Sequence, residues 1–408
     1  MRVLVVSQYF WPEVFRVNEI VAELGRRGHE VTVLTGRPNY PDGEVFAAYR
    51  NDPQAYGHYA GAEVLRLPLR PRFSGSLNLM RNYWSFVFWG CLLGPWLLRG
   101  RRFDAVFVFE TSPITSAIPA ILLKRLKRAR LLMWVLDLWP DTLSAIGVVR
   151  SPRLLGGVGR LVAWIYRHCD LILAQSKGFF EPIAKWSRAP EKTRYFPQWA
   201  EADFDAPALA RAQPAAEMAP HQGHTTIMFA GNIGEAQDMP AILTAAEQLK
   251  DRQEIRWLLV GDGRAAPMVR EQIAARGLQN TVFMLGRFPL ERMPEFFKCA
   301  DALLVSLKPE PIFALTVPGK VQSYLASGRP VLAMIDGEGA EVIERSGAGF
   351  TCPAGRSDLL AQQVLRLAAL SVDERDAMGR RGQAFSHAVF GRQNLMDQLE
   401  SWLQADAP

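Results

Sequence analysis

Short apolar runs alternate with amphipathic stretches along most of this chain, and the alternation predicts its architecture. In the first half, residues 3–7, 30–35, 63–68, 105–110, 131–137 and 171–174 have the length and bulk of buried strands. Residues 17–27 are apolar at helical spacing and close at Gly28. A second series, 227–230, 255–260, 282–285, 302–305 and 331–334, again has helical patterns between its strands. Strands alternating with helices predict right-handed βαβ units and parallel sheets. The expected fold class is therefore α/β, with two doubly wound Rossmann-like domains facing an interdomain cleft, where ligands sit at the C-terminal ends of strands. The expected boundaries are 1–199 and 226–390. Residues 200–225, rich in Ala, Pro and acidic side chains, are expected to be a linker. Residues 391–408 contain a last helical pattern, 395–403, expected to pack back across that linker.

One segment departs from the alternation. Residues 82–98 carry no charge, are dense in aromatics, and are flanked by Arg81 and by Arg99-Gly100-Arg101-Arg102. A membrane-spanning helix needs about 20 apolar residues, and Gly94-Pro95 interrupts this shorter run. An interfacial helix over 82–102, anchored by Trp and Arg, fits the pattern, and a buried core helix is its alternative.

Charge reinforces the interfacial reading. Residues 1–199 hold 27 Lys and Arg against 15 Asp and Glu, whereas residues 200–408 hold 20 against 26. The excess in the first half, with the basic run 124–130, predicts an anionic membrane surface as partner. Nucleic acid is not expected, since no helix-turn-helix, zinc-finger or RNP pattern accompanies the charge. The four cysteines, Cys91, Cys169, Cys299 and Cys352, are dispersed, and Met1-Arg2 runs straight into a strand with no signal-peptide pattern. Both point to a reducing, cytoplasmic location.

Candidate chemistry clusters at strand ends. The loop Ser7-Gln8-Tyr9-Phe10-Trp11-Pro12-Glu13 lacks G-x-G-x-x-G, which disfavours a hydride-transferring enzyme. Its polar and aromatic residues suit a sugar or acceptor pocket, or a loop packed by Trp11. Asp137-Leu138-Trp139-Pro140-Asp141 follows another strand. Asp137 is placed to meet sugar hydroxyls or a proton, while Asp141-Thr142 also fits a helix cap. In the second half, Gly231-Asn232-Ile233-Gly234, Gly261-Asp262-Gly263-Arg264 and Gly286-Arg287-Phe288 each follow a strand and leave room for a nucleotide. Val317-Pro318-Gly319-Lys320 then opens a helix whose positive end and lysine suit a diphosphate. The six histidines show no metal-ligand spacing, and Asp203-Phe204-Asp205, a metal-like D-x-D, falls in the linker, so no metal is expected.

Taken together, the loop 8–13, Thr35-Gly36-Arg37-Pro38-Asn39-Tyr40-Pro41, Asp137 to Asp141, and Val317 to Pro330 resemble the retaining glycosyltransferases of family 4, with a GT-B fold. The likeness covers almost the whole chain and leans toward the bacterial surface-polysaccharide branch of colanic-acid and fucosamine transferases. It implies a C-terminal domain that binds a UDP- or GDP-sugar with no metal or other cofactor. The implied contacts are Gly231, Asn232, Gly261, Gly263, Arg287, Phe288, Pro318, Gly319, Lys320 and Ser323. It also implies an N-terminal domain that binds a polyprenyl-diphosphate-linked saccharide at the inner-membrane surface. Lys320, Asp137 and Glu13 are implied to line the reaction centre, and the sugar is implied to be a deoxyhexose such as fucose or fucosamine. Two departures stand out: Ser323 and Leu315 occupy the places of the family's glutamate pair, and Gly234 to Asp238 replace its usual Arg/Lys pair. A nucleotide-sugar epimerase on the same scaffold, or a non-catalytic subunit of a polysaccharide assembly complex, are the alternatives.

Overall fold

The computed structural model of the chain describes residues 1–41, 43–73, 75–145, 151–204 and 206–405. It divides into two compact units, one formed by Met1–Pro197 with Gln393–Pro408 and the other by Gln198–Arg392.

The first unit is built on an eight-stranded sheet. Its strands are β1 (Arg2–Val6), β2 (Glu30–Gly36), β3 (His58–Tyr59), β4 (Ala62–Leu67), β5 (Ala105–Glu110), β6 (Arg130–Val135), β7 (Leu171–Ala174) and β8 (Thr193–Tyr195). The order is β3-β4-β2-β1-β5-β6-β7-β8, parallel throughout except for the short β3–β4 hairpin at one edge. Strand order reverses direction between β1 and β5, which is where doubly wound sheets open a crevice. The central strands are apolar along their whole length because helices cover both faces: Ala105 to Phe109 and Leu131 to Val135 are almost wholly buried.

The C-terminal helix Arg392–Gln404 belongs to this first unit. Leu395, Met396, Leu399 and Leu403 form its buried stripe. Arg27 holds its polar side, reaching Asp397 at 2.6 Å and Glu400 at 2.8 Å, while His29 meets Glu400 at 3.0 Å.

The helix expected around residues 82–98 runs over Ser76–Leu97. It starts a turn and a half early because Leu77 to Met80 continue its spacing. Pro95 lies in the last turn and does not end it, because a proline there costs one hydrogen bond only. Among the described residues, no helix is long and apolar enough to cross a membrane. One side of this helix is buried, with Tyr83, Phe86 and Val87 packed inward. The other exposes Leu77, Met80, Trp84, Phe88, Leu92 and Trp96. The helix is thus half-buried, which rules out the fully buried core alternative.

The second unit holds a six-stranded, fully parallel sheet of β9 (Thr225–Ala230), β10 (Ile255–Val260), β11 (Val282–Gly286), β12 (Ala302–Ser306), β13 (Val331–Met334) and β14 (Gly349–Cys352). Its order, β11-β10-β9-β12-β13-β14, is that of a dinucleotide-binding sheet, with the switch between β9 and β12. The stretch read as a linker has structure of its own, including the helix Ala206–Arg211 and the turn Ala216–His221. Phe204 and Met218 seat it on the second unit's core. The second carboxylate of the metal-like D-x-D, Asp205, lies outside the described residues.

Candidate active site

Each unit carries a cavity at the C-terminal ends of its strands. In the second unit a cavity of about 860 Å³ is lined by Gly231 and Asn232 after β9, Gly261 to Gly263 after β10, and Arg287 to Leu290 after β11, with Met293. The turns brace one another: Gly231 N donates to Val260 O at 2.8 Å, and Gly261 N donates to Gly286 O at 2.7 Å. Their glycines are dictated by space and conformation. Gly261 has φ +141°, and a Cβ there would lie 1.9 Å from Gly231 O. Such turns let a ligand approach bare backbone.

Pro318 precedes the helix Gly319–Ala326, and Lys320 stands in that helix's first turn. A Cβ on Gly231 would lie 2.8 Å from Lys320 Cε, so the lysine stem runs beside the cavity's first glycine turn. Its ammonium sits 3.5 Å from the centroid of the Phe229 ring and has no hydrogen-bond partner. Burial pushes its pKa down to about 7. An uncompensated amine beside a glycine turn is an energetic debt that an anion at the cavity would relieve. The sequence-expected residues Gly231, Asn232, Gly261, Gly263, Arg287 and Phe288 come together in the wall, with Lys320 against it. Pro318 caps the adjoining helix that carries Gly319 and Ser323, and none of the three is in the wall.

In the first unit a cavity of about 370 Å³ opens among the loops after β1, β2, β5 and β6. Its walls are aromatic: Tyr9, Phe15, Tyr40, Tyr83, Trp84 and Trp139. Tyr9 stacks on Phe15 at 5.7 Å, and Arg72 lies over Tyr40 at 5.6 Å. Asp137 and Ser112 supply polar lining, and Trp139 Nε1 donates to Ser112 Oγ at 3.1 Å. Behind Asp137 lies Glu110, fully buried at the end of β5, accepting from Ser112 N at 3.1 Å. Burial, and then the neighbouring Asp137, hold the Glu110 carboxyl well above the usual range. Burial likewise raises Asp137 to about 6. Two carboxyls this close favour sharing a proton over ionising together.

Glu13 occupies a different position from the one its motif implied. Its Oε2 accepts from Phe10 N at 3.0 Å, and its Oε1 accepts from Asn39 N at 2.8 Å and Tyr40 N at 2.7 Å. It ties the loop bearing Tyr9 to the loop bearing Tyr40 and is not among the lining residues. Burial raises it to about 7, against the pull of those three amides. Sequence reasoning missed Arg72, Tyr83 and Trp84 as wall residues. They come from a loop and a helix far along the chain, and no local motif marks them. Among the described residues, no group of three His, Cys, Asp or Glu side chains is placed to hold a metal ion.

Two parallel-sheet α/β units, each with its cavity at the strand ends, define a GT-B glycosyltransferase fold. The chain belongs to the glycosyltransferases whose first half is a glycosyl transferase 4-like domain, matched over residues 14–199, and whose second half is a glycosyl transferases group 1 domain, matched over residues 224–369. WcaI of Escherichia coli K12, named as a colanic acid biosynthesis glycosyl transferase, is 27% identical over 351 residues, covering 80% of this chain and 82% of WcaI. WbjE of Pseudomonas aeruginosa, named as a glycosyltransferase, is 26% identical over 287 residues, covering 67% and 68%. The crystal structure of Anabaena HepE in complex with UDP and glucose superposes with a TM-score of 0.68 at 15% identity over the full length of both chains. WaaG, a glycosyltransferase involved in lipopolysaccharide biosynthesis, gives 0.66 at 12% identity, also over both full lengths.

Proposed function

We propose that this glycosyltransferase moves a sugar, with retention of anomeric configuration, from a nucleoside-diphosphate sugar to a lipid-linked saccharide during surface-polysaccharide synthesis. The observation that carries the reading is the second unit's cavity: glycine turns after three successive strands, with the unpartnered Lys320 ammonium against the first. The likeness to WcaI supports the polysaccharide setting, and HepE shows that a protein of this fold binds UDP and glucose. The diphosphate would lie where Gly231 and Lys320 meet, and Lys320 would offset the charge on the departing nucleotide. The sugar is a deoxyhexose such as fucose or fucosamine on the strength of the family resemblance alone.

The acceptor would enter the aromatic cavity of the first unit, where flat rings suit sugar faces and Asp137 can accept a hydroxyl hydrogen bond. Leu77, Met80, Trp84, Phe88, Leu92 and Trp96 recur at three- and four-residue spacing on the exposed side of one helix. Arg81 and Arg99 are exposed on the same helix and just past it, with the Arg99 guanidinium 4.9 Å from the Trp96 ring. This supports peripheral docking on an anionic membrane, with Met80 and Trp84 shared between the apolar stripe and the cavity wall. Incubation with UDP- and GDP-sugars and polyprenyl-diphosphate-linked saccharides, with products identified by mass spectrometry, tests the reading. A glycosylated lipid is the expected product. An isomerised nucleotide sugar formed without acceptor would replace the reading with an epimerase, and nucleotide binding without turnover would replace it with a binding subunit.

A further inference from the structure

Among the described residues that line the first unit's cavity, Arg72 alone carries a positive charge. Its backbone is fixed from two sides. Arg72 N donates to Oδ1 of the buried Asn39 at 3.1 Å, and Arg70 O accepts from Nδ2 of the buried Asn82 at 2.6 Å. Asn39 is in the loop after β2, and Asn82 is on the helix Ser76–Leu97. The guanidinium lies over the Tyr40 ring at 5.6 Å, a contact that uses none of its N–H donors. Among the described residues no carboxylate pairs with it, so its donor edge is open to a ligand.

The cavity's carboxyl is at its other end. Asp137 belongs to the loop after β6, and in the sheet β1 and β5 lie between β2 and β6. The loops bearing Tyr40 and Asp137 therefore leave the sheet about 14 Å apart. Tyr83 feels both ends: burial raises its hydroxyl, Arg72 pulls it down, and Asp137 pushes it up. Met80 belongs both to this wall and to the exposed apolar stripe of the helix that begins just after Arg72.

A guanidinium is a planar fork of donors that matches two oxygens of one phosphate or carboxylate. The opposite end repels such an anion, because Asp137 stands there with Glu110 behind it. A ligand is thereby oriented, with its anion at Arg72 and a hydroxyl at Asp137. The anion lies beside the stripe that meets the membrane in the function proposed above, which favours a phosphate carrying a lipid over a carboxylate on the sugar. We infer that Arg72 binds the phosphate joining the acceptor saccharide to its lipid, and so selects phosphate-bearing lipid acceptors over neutral glycosides of the same sugar. The volume of about 370 Å³, at the small end for ligand cavities, suits a short saccharide. The inference rests on the reading that the first unit binds the acceptor.

The test is calorimetry on the full-length protein with four probes: a farnesyl-diphosphate-linked sugar, the neutral farnesyl glycoside, the free sugar 1-phosphate, and farnesyl glucuronide. The first three are used in glucose, galactose and N-acetylglucosamine forms. The wild type should bind the diphosphate-linked sugar about 10- to 100-fold more tightly than the neutral glycoside. Arg72→Met, which keeps the apolar stem, should bring the two affinities together, and Arg72→Lys should keep part of the preference. Arg50→Gln, an equal loss of charge at an exposed position, should leave the preference whole. UDP affinity should be unchanged in all three variants, because that cavity is in the second unit. Equal binding of the two farnesyl compounds by the wild type, or undiminished preference in Arg72→Met, overturns the role of Arg72 and leaves the acceptor cavity standing. A sugar 1-phosphate bound as tightly as its farnesyl form, or a glucuronide bound more tightly still, overturns the assignment to a lipid-linked phosphate. Binding of none of the probes overturns the acceptor reading as well.

Discussion

The Lys320 ammonium lies 3.5 Å from the centroid of the Phe229 ring with no hydrogen-bond acceptor, its pKa lowered by burial to about 7. The ring face offers weak attraction to the cation but does not replace its lost water. Tyr324, whose hydroxyl accepts from Ala230 N, stands one turn further along the same helix. Above pH 7 the lysine is therefore largely neutral until an anion arrives. Binding a diphosphate restores the charge, so it takes up a proton, and affinity should fall as pH rises from about 7 toward 9. The limit for one coupled proton is about tenfold per pH unit. Lys320→Arg, charged throughout, should flatten that dependence. Calorimetry of UDP in two buffers of different ionisation enthalpy checks both: proton uptake in the wild type and none in the arginine variant is expected. A flat wild-type profile would remove the coupling.

The glycine turns make a stability prediction with a built-in contrast. Gly261→Ala forces a Cβ to 1.9 Å from Gly231 O at φ +141°, so backbone must move. A loss of about 1–3 kcal/mol or more, together with loss of nucleotide binding, is expected. Gly156→Ala, in the helix Pro152–His168, meets nothing within 4 Å and has an ordinary helical φ. It should be neutral or stabilise by up to about 1 kcal/mol. Thermal melts of the two variants beside the wild type decide the matter, and equal melts would contradict it.

How far these features were legible in the sequence follows from what fixes each of them. Residues 105–110 and 255–260 were placed correctly at both ends because central strands of a covered parallel sheet are apolar throughout. The edge strands β8 and β14 escaped, since Thr193–Tyr195 and Gly349–Cys352 are short and only partly buried. The glycine turns were legible because Gly231, Gly261 and Gly286 all adopt positive φ, which the residue type itself announces. Arg72 and Tyr83 were not. Their positions depend on which distant segments meet, and local spacing carries no trace of that.

The carboxyl pair in the first unit predicts a second pH effect, on stability and at lower pH. Burial raises Asp137 to about 6, above its value in the unfolded chain. Between about pH 4 and pH 6 the native state then binds more protons than the unfolded one, so this group's contribution to stability falls as pH rises and levels off above about 6. Asp137→Asn keeps the shape and removes the ionisation. It should melt higher than the wild type at pH 8 and alike at pH 4.5, while transfer to the acceptor drops by about 10²-fold or more if Asp137 holds the reacting hydroxyl. Donor binding, made by the other unit, should stay within about twofold. Unchanged transfer would remove Asp137 from the acceptor site.

The exposed side of Ser76–Leu97 makes the last prediction. Phe88 and Leu92 are 59% and 56% exposed at the middle of the stripe, and neither lines the aromatic cavity. Burying such side chains in a lipid interface gains roughly 1.5–3 kcal/mol each at full burial. Nearby arginines add attraction to anionic headgroups of about 1 kcal/mol apiece, screened by salt. Phe88→Ser with Leu92→Ser should therefore lower partitioning onto vesicles containing phosphatidylglycerol by about 10- to 100-fold in a sedimentation assay. Nucleotide affinity should be unaffected, because that cavity is in the second unit. Raising the salt should weaken wild-type binding to the anionic vesicles and leave its weaker binding to phosphatidylcholine vesicles unchanged. If the double variant partitions as the wild type does, the stripe is not the docking face, and Met80 and Trp84 serve the cavity alone.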